Sequence, residues 1–220
     1  MTFKQTHKMK IKKTIYLLSF VFCLSNLSAQ QETTLVGLRV GVNYSTFILR
    51  NQHESFDKSG NFSGRQGIQI SVYTQQKLNA NLAAKLELSF IQKGANVNIT
   101  KTRQPNYYHL QYISIPVFLA YRKGPFEIET GLGISLLING RYYFTKRKLS
   151  LAEHFNKNQD LCFHAGFLWH LSKLNIGFRY SRGFVNLLDL QLRDSRGILI
   201  PKQPAFYNQS LQVSFAYQFK

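Results

Sequence analysis

The sequence predicts an all-β protein, an eight-stranded antiparallel up-and-down transmembrane β-barrel. Three observations lead to this fold class. Period-two alternation of apolar and polar residues recurs along the chain, and no segment has the periodicity of a long amphipathic helix. The connections between the alternating segments are long and short in turn. An even number of short strands with tight turns on one side and long loops on the other is typical of a membrane barrel.

The first four predicted strands each place apolar side chains on one face and small or polar ones on the other. VGLRVGVNY, at 36–44, sets valine, leucine and tyrosine against glycine, arginine and asparagine. GIQISVYTQQK at 67–77 and LAAKLELSF at 82–90 alternate in the same way. ISIPVFLAY follows at 113–121, where Pro116 removes a ladder hydrogen bond and predicts a local bulge.

The last four predicted strands repeat the pattern. FEIETGLGISLL at 126–137 opposes two glutamates to a row of apolar residues, and LCFHAGFLWH at 161–170 opposes histidines and glycine to leucine, phenylalanine and tryptophan. LNIGFRYS at 174–181 and SLQVSFAYQF at 210–219 complete the set. Strands of roughly nine to eleven residues are long enough to cross a bilayer at a tilt.

The connections alternate in length. The long ones are 46–66, 95–110, 139–159 and 182–208, and the tight ones are 79–81, 122–125 and 171–173. Long loops on one side of the membrane and tight turns on the other place both chain termini on the side of the tight turns, which in an outer membrane is the periplasm.

The N-terminal residues predict export. A basic start, an apolar run from Ile15 to Leu24 and small residues before Gln30 form a secretory signal peptide at 1–29, and the run is too short to span a bilayer as a helix. Met9 opens a more typical basic segment than Met1 and is an alternative start. We therefore predict a single outer-membrane β-barrel domain at 30–220.

The charge of the exported chain indicates an anionic environment. Signal removal takes away five lysines and no acid, which leaves 23 basic and 10 acidic residues, a net charge of +13. In an exported protein this favours lipid headgroups or surface polymers as partners and argues against nucleic acid. Cys162 remains as the only cysteine, so no intramolecular disulfide is expected.

The direction of the apolar face separates a membrane barrel from a soluble periplasmic carrier of lipocalin type, in which that face points inward. Glycine is frequent on the polar face, which suits the crowded inside of a narrow barrel. Four aromatic residues lie on the apolar face beside the tight turns or the chain end, where an interfacial girdle is expected. They are Tyr121, Phe126, Trp169 and Phe219. Both features favour the membrane barrel, with the carrier as the alternative architecture.

At this level the chain resembles the PorT-like outer-membrane β-barrel proteins of Gram-negative bacteria. The segments that carry the resemblance are GLRVGVNYS (37–45), LELSFIQKGA (86–95), YISIPVFLAY (112–121), FEIETGLGISLLI (126–138), NIGFRYSRGFVNL (175–187) and the closing VSFAYQF. The resemblance lies in the residue pattern and in these short sequence segments, and it includes no catalytic signature. It implies an outer-membrane barrel, and some members of the family are associated with protein secretion across that membrane.

Seven charged or titratable residues of the polar face point into the lumen in this assignment. They are Arg39, Lys85, Glu87, Glu127, Glu129, His164 and Arg179. Eight strands enclose a space just wide enough for side chains to fill, and charges there must be paired. We therefore predict a structural charge network that plugs the lumen, rather than acid–base catalysis by Glu127 and Glu129.

No catalytic, cofactor-binding or metal site is predicted. His170 and Ser172 have the His-x-Ser spacing of some outer-membrane lipid deacylases, so a lipid-modifying enzyme is the alternative function, although the sequence shows no carboxylate partner for the histidine. His109, His154 and His164 show no metal-ligand spacing.

The long loops are rich in basic residues. They carry 14 lysines and arginines, and the tyrosines and basic cluster of RYYFTKRKLS, at 141–150, lie among them. Such loops can bind an anionic surface glycolipid or a protein partner, in addition to the outer-membrane lipids around the barrel. The sequence therefore predicts a non-enzymatic barrel that displays basic extracellular loops for binding or assembly, and it leaves the oligomeric state open.

Overall fold

The computed structural model describes residues 34–50, 61–98, 106–144, 147–150, 158–187 and 205–219. The predicted signal peptide lies outside these ranges. The described residues form nine antiparallel strands. They are β1 (Thr34–Arg50), β2 (Asn61–Lys77), β3 (Leu82–Asn98), β4 (Asn106–Lys123), β5 (Phe126–Phe144), β6 (Arg147–Ser150), β7 (Gln159–Leu171), β8 (Leu174–Gly183) and β9 (Ala205–Gln218).

Eight of these strands close into a barrel. The sheet runs in the order β4-β3-β2-β1-β9-β8-β7-β5, and β4 pairs with β5 to complete the ring. The first strand pairs with the last in one unbroken register, from Gly37 opposite Gln218 to Arg50 opposite Ala205. The short strand β6 pairs with the end of β5, at 141–144, and takes no part in the ring. The predicted eight-stranded up-and-down barrel is confirmed.

The first five strands, β1 to β5, are longer than the sequence predicted. β1, β2 and β3 have 17 residues each, β4 has 18 and β5 has 19. A bilayer needs about 9–11 residues per tilted strand, so the surplus extends beyond the membrane, away from the tight turns. The assignment of 46–66, 95–110, 139–159 and 182–208 to loops throughout is therefore wrong, since strand pairing continues into each of these segments.

The apolar face of the strands points outward around the whole ring. On β9, Val213 and Phe215 are 39% and 58% exposed, whereas Ser214 between them is 6% exposed. The same alternation holds on β1, where Val40 and Val42 are exposed and Arg39 and Asn43 are buried. A soluble carrier would have the opposite arrangement, so the lipocalin alternative is excluded by the direction of the faces.

An apolar cluster fills the barrel above the membrane, and we call it the mouth cluster. Its buried members are Phe47, Ile91, Ala95, Leu110, Tyr112, Leu187 and Phe206. Phe62 packs edge-on against Phe47 and Phe206, with ring centroids 5.6 and 5.7 Å apart. Above the bilayer, therefore, a cluster of apolar side chains points inward, beside buried polar ones such as Asn106 and Asn208.

The predicted bulge at Pro116 does not occur. The β3–β4 register is the same on both sides of Pro116, so the strand keeps its alignment and the proline simply lacks its own hydrogen bond. An irregularity of the β4–β5 ladder lies instead at Ile138, which has no partner between Leu137 and Asn139. A second interrupts the β2–β3 ladder at 65–68, where four residues of β2 lie opposite three of β3.

The tight turns use left-handed backbone conformations where the chain reverses. Gly124, between β4 and β5, has φ of 62°, and Ser172, between β7 and β8, has φ of 60°. Glycine adopts this conformation without strain, whereas serine does so less readily. In the described ranges, no helix is long and apolar enough to cross a membrane.

Candidate functional site

The lumen of the barrel contains the largest concentration of charge among the described residues. We call the six ion-paired residues Arg39, Lys85, Glu87, Glu127, Glu129 and Arg179 the lumen network. Strand alternation directs all of them inward, because each lies at an odd-numbered position of a strand whose even-numbered residues face lipid. Each is at most 5% exposed.

Glu129 contacts three cations. Its Oε1 accepts hydrogen bonds from Arg179 Nη2 at 2.6 Å and Nε at 2.9 Å, and Arg39 Nη1 lies 3.4 Å away. Its Oε2 accepts one from Lys85 Nζ at 2.7 Å. Both oxygens of this carboxylate are thus held by charge-assisted hydrogen bonds, the strongest kind in a protein interior.

Glu87 is paired with the same two arginines. Arg39 Nη1 and Arg179 Nη2 lie 3.0 and 2.9 Å from Glu87 Oε2, and Arg179 Nη1 donates to Oε1 at 3.2 Å. Gln69 and Ser89 donate further hydrogen bonds to Oε1. Arg39 and Arg179 therefore each bridge Glu87 and Glu129 across the barrel.

Glu127 lies nearest the periplasmic turns and is paired differently. Lys85 Nζ donates to its Oε1 at 2.7 Å, so that this lysine bridges Glu127 and Glu129. His170 Nε2 lies 3.1 Å from Oε2, and Gln75 donates to the same oxygen at 3.5 Å. The network therefore ends at this side of the barrel in a carboxylate, a lysine and a histidine.

Aromatic rings pack against the cations. The Arg179 guanidinium lies 4.3 Å from the centroid of Phe118, and Arg39 and Lys85 each lie 5.6 Å from that of Tyr73. These rings cover the charges and occupy the space that water would need. Cations over aromatic faces also gain an electrostatic attraction that increases when water is excluded.

Glycine on the inner face makes room for these rings. A Cβ at Gly37 would overlap the ring of Tyr73, and one at Gly131 would meet the ring of Phe118 and the backbone of Val117. The glycine-rich polar face of the sequence therefore corresponds to positions over which large side chains lie.

The structure brings six of the seven predicted lumen residues together and leaves the seventh beside them. His164 is buried, but its Nδ1 lies 2.7 Å from Ser181 Oγ and its ring lies edge-on to Phe118, without an ion pair.

The four predicted interfacial aromatics lie on the outer face. Tyr121, Phe126, Trp169 and Phe219 are 45%, 50%, 44% and 54% exposed.

A second polar layer, nearer the mouth cluster, was missed by the sequence analysis. Lys93 Nζ lies 3.9 Å from Cys162 Sγ, and Asn208 donates to Asp160 Oδ2 and to the Tyr112 hydroxyl, each at 3.1 Å. Continued alternation along the third and sixth predicted strands, past their assumed ends, would have placed Lys93 and Asp160 inside. With them, the described lumen holds four lysines and arginines against four carboxylates.

The His170–Ser172 pair does not form a nucleophile and base. His170 points inward to Glu127, and its Nδ1 has no hydrogen-bond partner. Ser172 lies exposed in the β7–β8 turn. The described part of the chain also contains no group of three or more histidine, cysteine or acidic side chains arranged to hold a metal ion.

A closed ring of eight strands with an apolar outer belt and charged residues shut inside defines an integral membrane β-barrel. The chain belongs to the outer membrane protein beta-barrel domain family, whose model matches residues 28–189. It is therefore an outer-membrane protein of the Gram-negative type. No curated protein matches the sequence.

Solved outer-membrane barrels are similar to this chain in fold. Neisserial surface protein A (NspA) is 8% identical with a TM-score of 0.53, over 86% of this chain and 100% of its own. Ail, the attachment invasion locus protein of Yersinia pestis, is 11% identical with a TM-score of 0.46, over 86% and 100%. The outer membrane protease OmpT from Escherichia coli is 8% identical with a TM-score of 0.41, over 86% and 99%. At these identities the likeness shows the fold alone.

Proposed function

We propose that this protein is a non-enzymatic outer-membrane scaffold with a sealed lumen, whose extracellular end binds an anionic partner. The observation that carries the proposal is the lumen network, in which cations and carboxylates neutralise one another. A catalytic site needs a reactive group with access to substrate, and a pore needs a water path. Buried, mutually paired charges supply neither.

The extracellular end is suited to binding. The strands extend beyond the bilayer at this end, and the sequence places an excess of lysine and arginine in the ends of these strands and in the segments between them. Such a surface attracts anionic partners over several ångströms and accelerates their association. Some members of the PorT-like family that the sequence resembles are associated with protein secretion across the outer membrane, so we propose a component of such a machinery as the partner.

The test compares cross-linked outer membranes from cells that carry the wild-type chain or a loop variant. The variant replaces six basic residues of the predicted extracellular segments, two of them on β6, with glutamine. They are Lys101, Arg103, Lys146, Arg147, Lys148 and Lys157. A matched control replaces four basic residues near the tight turns, Lys77, Arg122, Lys123 and Lys173. We expect the cross-linked partner to be retained by wild type and control and lost by the loop variant, at equal protein levels in the membrane. Capture of the same proteins by all three chains would contradict the proposal.

The same cells test the enzymatic alternative. Mass spectrometry of outer-membrane phospholipids and lipopolysaccharide is expected to show identical lipids with and without the protein. A lipid product that depends on the protein and disappears in a His170→Ala variant would establish the lipid-modifying enzyme instead.

A further inference from the structure

The outer wall of the barrel has a crevice where the β2–β3 ladder is interrupted. Pairing stops at Gly64 opposite Ala95 and resumes at Gln69 opposite Ile91. Two side chains of β1 reach across to the main chain of β3 at this point. Asn43 Nδ2 donates to Gln92 O at 2.9 Å, and Ser45 Oγ exchanges hydrogen bonds with Gly94 at 2.8 and 3.0 Å. The bulge therefore opens the wall, and polar side chains hold its floor together.

The lower part of this wall crevice is apolar and faces lipid. It has a volume of about 450 Å³, within the usual range for a ligand pocket. Val42, Ile68, Leu211 and Val213 line it from three neighbouring strands. All four belong to the exposed apolar belt, at its extracellular edge. The crevice is thus deep enough and apolar enough to take acyl chains in the outer leaflet.

The crevice continues upward into a polar neck. A second cavity of about 400 Å³ shares Tyr44 and Gln66 with the first and is also lined by Arg65 and Asn96. At the floor of the lower part, the buried Asn43 closes the crevice towards the lumen.

A basic and aromatic rim adjoins the neck above the membrane. The Arg65 guanidinium lies 3.9 Å from the centroid of the Tyr107 ring, which stacks on Tyr143 at 4.5 Å. Arg141 lies opposite His109 on the adjoining strand pair. Burial, Arg65 and Arg141 together lower the pKa of His109, so the two arginines carry the positive charge of the rim at neutral pH.

The rim has no acidic counterpart on the outer wall that the structure describes. The four carboxylates of the described residues, at positions 87, 127, 129 and 160, are all buried in the lumen. Arg65 and Arg141 therefore present guanidinium groups, which suit bidentate binding of phosphate, around His109, and Arg65 also lines the neck above the apolar crevice. A lipid matches this arrangement, because its anionic headgroup can lie at the basic rim while its acyl chains lie in the apolar crevice of the belt.

We propose that the wall crevice and its basic rim form a binding site for one anionic acyl lipid of the outer leaflet that carries a phosphate monoester. The phosphate lies at Arg65 and Arg141, the polar linkage lies in the neck beside Tyr44 and Gln66, and the acyl chains occupy the crevice below. The site is on the barrel wall and is independent of any partner bound by the loops.

The test is native mass spectrometry of the protein released from phosphatidylcholine nanodiscs that contain diphosphoryl lipid A. We expect one lipid A to be retained by the wild-type barrel. Arg65→Gln and Arg141→Gln are each expected to lower the retained fraction at least about fivefold, because each removes half of the phosphate contact. Arg122→Gln is the matched control, since Arg122 is exposed at the tight-turn end of β4, away from the crevice, and its loss is expected to leave retention unchanged.

A second pair of variants tests the acyl part of the site. Val42→Trp fills the crevice and is expected to reduce retention, whereas Leu119→Trp enlarges an exposed residue of β4 outside the crevice and is not. A gel-mobility assay that separates folded from unfolded barrels confirms that each variant is folded.

Three results would overturn the proposal. The first is equal retention of lipid A by the Arg65, Arg141 and Arg122 variants. The second is equal retention of zwitterionic phosphatidylethanolamine. The third is displacement of lipid A by inorganic phosphate at comparable concentration, which would define an anion site without a lipid.

Discussion

Glu129 is the residue on which the lumen network depends most. It contacts Lys85, Arg39 and Arg179, which are three of the four buried cations of the described lumen. Glu127, by comparison, contacts one lysine and one histidine. Removing the charge of Glu129 therefore takes one carboxylate partner from three buried cations, whereas removing that of Glu127 takes one from Lys85 alone among the lysines and arginines.

The first prediction follows from this difference. Glu129→Gln should reduce the free energy of unfolding by about 3–5 kcal/mol, the usual cost of losing one partner of a buried ion pair, and by less where lumen water reaches the cations. Glu127→Gln should cost less than Glu129→Gln. Urea unfolding in lipid vesicles measures both, and an unchanged midpoint for Glu129→Gln would remove this residue from any structural network.

At the residue scale, alternation predicted the inward direction of the charged side chains, because parity along a strand follows from backbone geometry. The sequence alone could not predict which side chain pairs with each charge. Which guanidinium meets which carboxylate depends on strand register and tilt, and these are set by all eight strands together. His164 illustrates the limit, since it has the same inward parity as its neighbours but bonds to Ser181 and not to a carboxylate.

At the scale of the strands, the membrane-spanning segments were predictable and their extensions were not. Within the bilayer, apolar residues face out and small or polar ones face in. Above it, Phe47, Leu110 and Phe206 also point inward, so this pattern does not continue. An interpretation based on apolar residues facing out assigns these segments to loops, although the backbone remains paired.

The second prediction concerns these extensions. The backbone amides of His109, Gly140 and Tyr142 should be protected from hydrogen exchange, because 106–111 and 139–143 are paired above the membrane. NMR-detected exchange in nanodiscs measures this, with Ala80 of the exposed β2–β3 turn as the fast-exchanging control. Exchange at His109 and Gly140 as fast as in that turn would show that the extensions are loops, as the sequence alone predicted.

At the scale of the whole molecule, charge is divided between two compartments. The lumen holds equal numbers of described cations and carboxylates, whereas the net positive charge of the chain lies on the outer wall and in the loops. The mouth cluster then closes the lumen towards the cell exterior with apolar side chains. An ion crossing the barrel would have to displace both layers.

The third prediction is that the barrel does not conduct. Eight strands leave a lumen that side chains fill, and here the large side chains Arg39, Lys85, Phe118 and Arg179 converge inside it. Planar-bilayer recording of the pure, folded protein should show no stable steps of current, under conditions in which a known porin does. Reproducible single-channel steps would contradict the sealed lumen.

The central claim is that the apolar face meets lipid and the charged face is shut inside, and spin labels on β9 test it most directly. With Cys162 replaced by serine, a nitroxide on a cysteine at position 213 or 215 should be relaxed by lipid-soluble oxygen in a bilayer. A nitroxide at position 214 should be shielded, because Ser214 is 6% exposed whereas Phe215 is 58% exposed. Shielding at 213 and 215 with access at 214 would contradict the account and return Glu127 and Glu129 to the outer surface.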